Sequence, residues 1–145
     1  MMYDKKMLTS CTERILNIYR KNKNKENDFT LLLVSFAGLL SVLDENVRKE
    51  IFKNFSFPEW FATEKNDEDN NGETKGEYYI RHLRNSFCHF KLDPENIIPD
   101  EKNQISKVRF LDKHNGKTNF DCIMTVAQVE ELFLLIIDAI KKANK

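Results

Sequence analysis

The segment from Tyr78 to Phe90, YYIRHLRNSFCHF, concentrates side chains that can handle a phosphate and a proton. It is laid on a helix at about 100° per residue with Arg81 at the origin. Asn85 then falls at roughly 40°, His89 at roughly 80°, Cys88 at roughly 340° and Arg84 at roughly 300°. Ile80, Leu83, Phe87 and Phe90 gather at roughly 180° to 260° on the opposite side. One face is therefore core, and the other collects two Arg, an Asn, a Cys and a His. An ordinary solvated face mixes charge signs to form i,i+4 pairs, yet no acid occurs from Tyr78 to Leu92.

This residue set fits the cleavage of RNA without a metal. That reaction needs a group to take the 2′-OH proton as the oxygen attacks the adjacent phosphorus, and an imidazole titrates near working pH. The phosphorane gains negative charge on its non-bridging oxygens, which a permanently protonated guanidinium fork can hold. An Asn amide both donates and accepts, so it can orient either partner. His89 is thus expected as general base and then acid, Arg84 as phosphorane stabiliser, Asn85 as orienting group and Arg81 as a substrate-binding contact. Arg84 and His89 diverge by about 140° on one helix. Two copies facing across a two-fold axis, the commonest oligomeric symmetry, would bring both kinds of residue around one cleft.

Plainer roles stand beside these. Arg84 can pair with an acid of the Glu64–Glu77 loop, and His89 can be a helix-end histidine that complements the dipole. Arg81 can be a solvated surface cation. His82, at roughly 100°, sits at the edge of the polar face and reads as structural. Cys88 reads as a small packing residue. A metal set of Cys88, His89, His114 and Cys122 matches no known ligand spacing, and neither a Gly-rich phosphate loop nor a GxSxG elbow is found. No metal and no cofactor are expected.

The elements that must position these residues follow from periodicity and punctuation. A first helix is expected over about residues 4 to 21, with Met7, Cys11, Ile15 and Ile18 as its apolar stripe. KNKNKEN, residues 21–27, is a polar connection that could guide RNA electrostatically. Asp28 can cap a second helix to about Asn46, with Phe29, Leu32, Leu33, Phe36, Leu39, Leu40, Leu43 and Val47 as a broad apolar face; Ala37 and Gly38 suggest another helix passing close. Ser56 to Glu59, SFPE, has capping-box spacing and predicts a short helix stacking Phe57, Trp60 and Phe61 over the end of a bundle, or a dimer anchor at Trp60. Glu64 to Gly76 reads as a solvated loop. The third helix runs from about Thr74 or Glu77 to about Lys91, since Asp93-Pro94 opposes continuation. Ile105–Leu111 and Lys117–Met124 flank Asn115-Gly116, a strong hairpin signal. Thr125 and Gln128 then start a last helix, with Val126, Val129, Phe133, Ile136, Ile137 and Ile140 facing inward. The expected fold is mainly α, an up-and-down bundle of four main helices with a β-hairpin inserted before the last, in a single domain over residues 1–145.

Composition bounds the function. With 145 residues, 41% hydrophobic and 32% charged, the chain can build a core, burying about 70% of its unfolded surface. Lys+Arg and Asp+Glu both number 23, which disfavours coating nucleic acid by bulk charge. The longest uncharged run of the first half, Phe29 to Leu43, is shorter than the ~20 apolar residues of a membrane span, and charges interrupt the amino terminus where a signal peptide needs an apolar run. Cys11, Cys88 and Cys122 are odd in number and far apart, so a disulfide framework is not indicated. A cytoplasmic protein with no membrane partner is expected.

Arg84-Asn85-Ser86-Phe87-Cys88-His89 resembles the R-polar-x-x-x-H signature of HEPN domains in its RNxxxH form. The helical architecture around it agrees over most of the chain. The resemblance implies a helical bundle and a metal-independent RNase that acts on RNA as a homodimer, its active site at the two-fold interface. Arg84 and His89 would be catalytic and Asn85 supporting, leaving 2′,3′-cyclic phosphate and 5′-OH ends. It also implies a toxin–antitoxin, abortive-infection or antiphage setting, with an antitoxin or defence partner. Lys91 stands where some HEPN toxins carry a Tyr that accepts AMP, which argues against that regulation. Some HEPN domains have lost catalysis, so an RNA-binding or protein-interaction module is the alternative.

Overall fold

The computed structural model describes residues 4–23, 28–61, 64–65, 72–89, 96–102 and 105–144. Five helices carry most of the described chain: α1 (Lys5–Asn22), α2 (Asp28–Ser41), α3 (Glu45–Ile51), α4 (Lys75–Cys88) and α5 (Val126–Ala143). Four strands, β1 (Glu64–Lys65), β2 (Ile97–Pro99), β3 (Ile105–His114) and β4 (Lys117–Thr125), form one antiparallel sheet in the order β1-β4-β3-β2.

Asp4 caps α1 by accepting from the Met7 amide at 3.0 Å. The stripe this helix buries is Leu8, Thr12, Leu16 and Tyr19, one residue on from the stripe expected. Met7 is 68% exposed and Ile18 55%. The bulkier set wins because Tyr19 packs edge-on against Phe133 at 5.2 Å and its hydroxyl donates to Glu130. Ile15 stays half-buried beside Gly38, where a Cβ would lie 3.9 Å from its Cδ1, so α1 is the helix that passes α2 closely.

The apolar face of the second helix buries as expected from Leu32 to Val47, but one helix does not span it. α2 ends at Ser41, whose hydroxyl donates to the Gly38 carbonyl at 2.7 Å. Asp44 then caps α3 by accepting from Val47 N–H at 3.0 Å, and the two helices meet at 93°. A side chain able to cap competes with helix continuation, which gives a fifth helix in place of the four expected. Among the described residues no single helix is long and apolar enough to cross a membrane.

The SFPE segment forms no helix, only a turn in which the Phe61 amide donates to the Pro58 carbonyl at 3.0 Å. Its aromatics still pack as a cluster: Phe57 lies edge-on to Phe55 and Tyr79, and the Trp60 indole donates to Glu131 at 2.7 Å. This cluster abuts the start of α4, which Thr74 and Glu77 close with a capping box. At Gly76 the helix meets the preceding chain so tightly that a Cβ would sit 2.1 Å from the Phe52 carbonyl oxygen. Only glycine allows α3 and α4 this close. α4 ends at Cys88 with His89 as C-cap, short of the predicted Lys91; residues 90–95 lie outside the described residues, as do residues 66–71 of the predicted Glu64–Gly76 loop, whose first two residues pair as β1 and whose last two open α4.

The hairpin turns on Asn115 (φ 50°) and Gly116 (φ 77°), as the Asn-Gly pair predicts. It is the centre of a wider sheet, since β1 and β2 add to its two edges. Val108 opposite Met124, and Phe110 opposite Cys122, point into the core. The Thr125–Gln128 capping box starts α5, which buries Val129, Leu132, Phe133, Ile136, Ile137 and Ile140. Phe36 of α2 contacts Phe87, Phe110 and Phe133 edge-on, tying α4, the sheet and α5 to one centre. That contact fixes which face α4 turns outward.

Candidate functional site

α4 is held from both ends. Ile80 and Leu83 are fully buried, and the Tyr78 hydroxyl donates to the Asn119 carbonyl of β4 at 2.7 Å. Between them His82 is fully buried, its ring stacked on Phe120 with a 10° interplanar angle. Its Nδ1 lies 2.6 Å from Oδ2 of Asp112. The same carboxylate oxygen accepts from the Asn85 amide at 3.3 Å. Burial alone would raise the Asp112 pKa; the hydrogen bonds and charge of His82, with the Asn85 bond, outweigh it and hold the carboxyl below its ordinary value. The structural role read for His82 thus comes with an acid that α4 lacks from Tyr78 onward and the hairpin supplies.

A groove of about 420 Å³ opens beside this pair. Arg81, Asn85, Cys88 and His89 line it from α4, and Asp112, Lys113, His114 and Asn119 line it from the hairpin. His89 is exposed at the helix end. The structure therefore brings three of the four expected site residues, Arg81, Asn85 and His89, to one groove. Arg84 is half-buried and outside the groove lining, as the angular separation on α4 predicts. The acid expected to meet Arg84 from the preceding loop meets Arg81 instead: Glu73 accepts from Arg81 Nε at 2.9 and 3.1 Å and pairs with its Nη2 at 2.7 Å.

Three residues near the site were not singled out for it by sequence reasoning. Asp112 continues the inward alternation of Val108 and Phe110, and an acid at an inward strand position is a signal that could have found it. His114, which the sequence offers only as a metal ligand, lines the groove. Arg48, on α3, is 7% exposed and donates from Nη1 to the Leu43 carbonyl at 2.8 Å. The metal set does not assemble. Cys122 is 2% exposed on the core face of the sheet, and burial, with Asp121 adding, pushes its thiol up to about 12. Among the described residues no group of three or more His, Cys, Asp or Glu is arranged to hold a metal ion.

A family model described as HEPN pEK499 p136 matches residues 1–145. The chain belongs to this HEPN family. The Arg84–His89 stretch, which resembles the RNxxxH signature, ends α4 beside the groove and places Asn85 and His89 in its lining. No curated protein and no solved structure gives a significant match.

Proposed function

We propose that this HEPN protein is a metal-independent endoribonuclease. HEPN domains are often RNases, and the observation that carries the reading is the exposed His89 sharing a groove with Asn85 and cationic side chains. In the proposed mechanism His89 takes the 2′-OH proton, the oxygen attacks the adjacent phosphorus, and the 5′-oxygen leaves with a proton returned by imidazole. The ends are a 2′,3′-cyclic phosphate and a 5′-hydroxyl. Asn85, held by Asp112, orients the reacting groups. Arg84 reaches the phosphorane from a second copy across a two-fold axis, because within one chain it stands outside the groove. A toxin–antitoxin, abortive-infection or antiphage setting follows from the family resemblance, and neighbouring genes test it.

RNA cleavage by the purified chain in EDTA tests the reaction. His89→Ala and Arg84→Ala should each lower the rate by about 10²–10⁴-fold with the fold intact. A strict requirement for added divalent metal, or wild-type rates in both variants, rejects it. The absence of Arg84 from the groove favours one other reading, an RNA-binding module without turnover. That reading predicts RNA binding that survives His89→Ala and no cleavage at any protein concentration.

A further inference from the structure

On the other side of Arg81 lies a second cavity, of about 280 Å³, between α3 and the start of α4. It is lined by three bases, Arg48, Lys49 and Arg81, and three acids, Glu45, Glu73 and Glu77. Each acid is engaged. Glu45 pairs with Lys49 at 2.8 Å, Glu73 holds Arg81, and Glu77 accepts from the Thr74 amide in the capping box. Arg48 is left over. It is more than nine-tenths buried, its Nε has no hydrogen-bond partner, and among the described residues no carboxylate pairs with it. Burial first, and the neighbouring Arg84 charge second, press its pKa down, against a weaker opposing pull from Glu73. Arg84 likewise has no carboxylate partner among the described residues. A buried guanidinium without an acid of its own, with every acid lining the cavity already taken, is unfavourable until an anion arrives.

We infer that this cavity is a phosphate subsite, in which Arg48, with Lys49 and Arg81 on the same wall, holds a backbone phosphate of single-stranded RNA next to the linkage held in the groove. The inference rests on the ribonuclease reading for the identity of the ligand. Arg81 lines both spaces, so a strand lying in the groove passes directly to the cavity. Arg48 lines the cavity wall, and a planar guanidinium fork whose only hydrogen bond among the described residues runs from Nη1 to the Leu43 carbonyl suits a phosphate oxygen.

The test uses the full chain. In wild-type protein, the Arg48 Nε–H resonance should move on titration with inorganic phosphate; no movement overturns the subsite without need of a variant. In a His89→Ala background, which silences cleavage, Arg48→Met should weaken binding of a short single-stranded RNA by about tenfold and reduce the salt slope by about 0.7. Arg48→Lys should keep most of that slope. Unchanged affinity and slope in a folded Arg48→Met protein overturn the RNA assignment even if free phosphate binds. If wild type cuts RNA and Arg48→Met behaves identically, the subsite falls and the nuclease stands. If Arg48→Met lowers the slope but wild type never cuts RNA, the subsite stands and the nuclease falls.

Discussion

Two basic side chains are buried at α4, His82 on the helix itself and Arg48 on the neighbouring α3, and the protein treats them differently. His82 meets Asp112 at 2.6 Å, and the carboxylate is shared with Asn85. Arg48 donates to one backbone carbonyl and meets no acid among the described residues. A buried polar group is tolerated when its partners are built in. By that measure the His82 side of α4 has its acid built into the fold, whereas the Arg48 side has none among the described residues. The first side holds Asn85 still, and the second leaves cationic capacity free.

Removing Asp112 should break the contrast most. Asp112→Ala strips the partner from His82 and Asn85 together, and a loss of about 3 kcal/mol is expected in urea unfolding. The pH dependence has a definite sign. The Asp112 pKa is lowered on folding, so its contribution is complete above the unfolded carboxyl value of about 3.9 and fades as pH drops below it. Stability curves of wild type and Asp112→Asn should therefore converge only in strong acid; convergence at neutral pH would show that the pair contributes nothing. Gly76→Ala comes next. Its Cβ would strike the Phe52 carbonyl and push α3 from α4, at a cost of about 1–3 kcal/mol. It should disturb phosphate binding at Arg48 more than the His82 side, read from the two sets of side-chain resonances. Arg48→Met should change stability least, by about 1 kcal/mol or less in either direction, because it removes an uncompensated charge along with one hydrogen bond. A loss as large as that of Asp112→Ala would make Arg48 a structural residue and erase the distinction.

Local signals made part of this legible. Thr125 with Gln128, and Asn115-Gly116, each set an element's start or turn through contacts spanning at most three residues, and each stands where the sequence places it; the start of α4, left between Thr74 and Glu77, falls at Lys75 after the Thr74 cap. The motif face of α4 was legible for the same reason, since it depends only on helical spacing. What failed depended on competition or distance. Tyr19 takes the core place expected of Ile18 through Phe133 and Glu130 of α5, partners that periodicity on α1 alone does not reveal. Asp44 broke the long second helix by capping the next one. Asp112 lies 30 residues from His82, and Arg48 reaches its neighbours only because Gly76 lets α3 close on α4.

The hairpin is also irregular at one point. Asp112 opposes Phe120 but Lys113 opposes Thr118, so Asn119 is an extra residue in β4. The carbonyl of that extra residue is the one the Tyr78 hydroxyl takes. The bulge thus acts as a rivet, separating a stem whose alternation is committed to aiming Asp112 inward from a tip that closes the loop and adds His114 to the groove wall. Lengthening or replacing the tip beyond Lys113 and Thr118 should leave the stem seated, while deleting one residue between Val108 and Asp112 would turn the acid to solvent and release Asn85 from its tether.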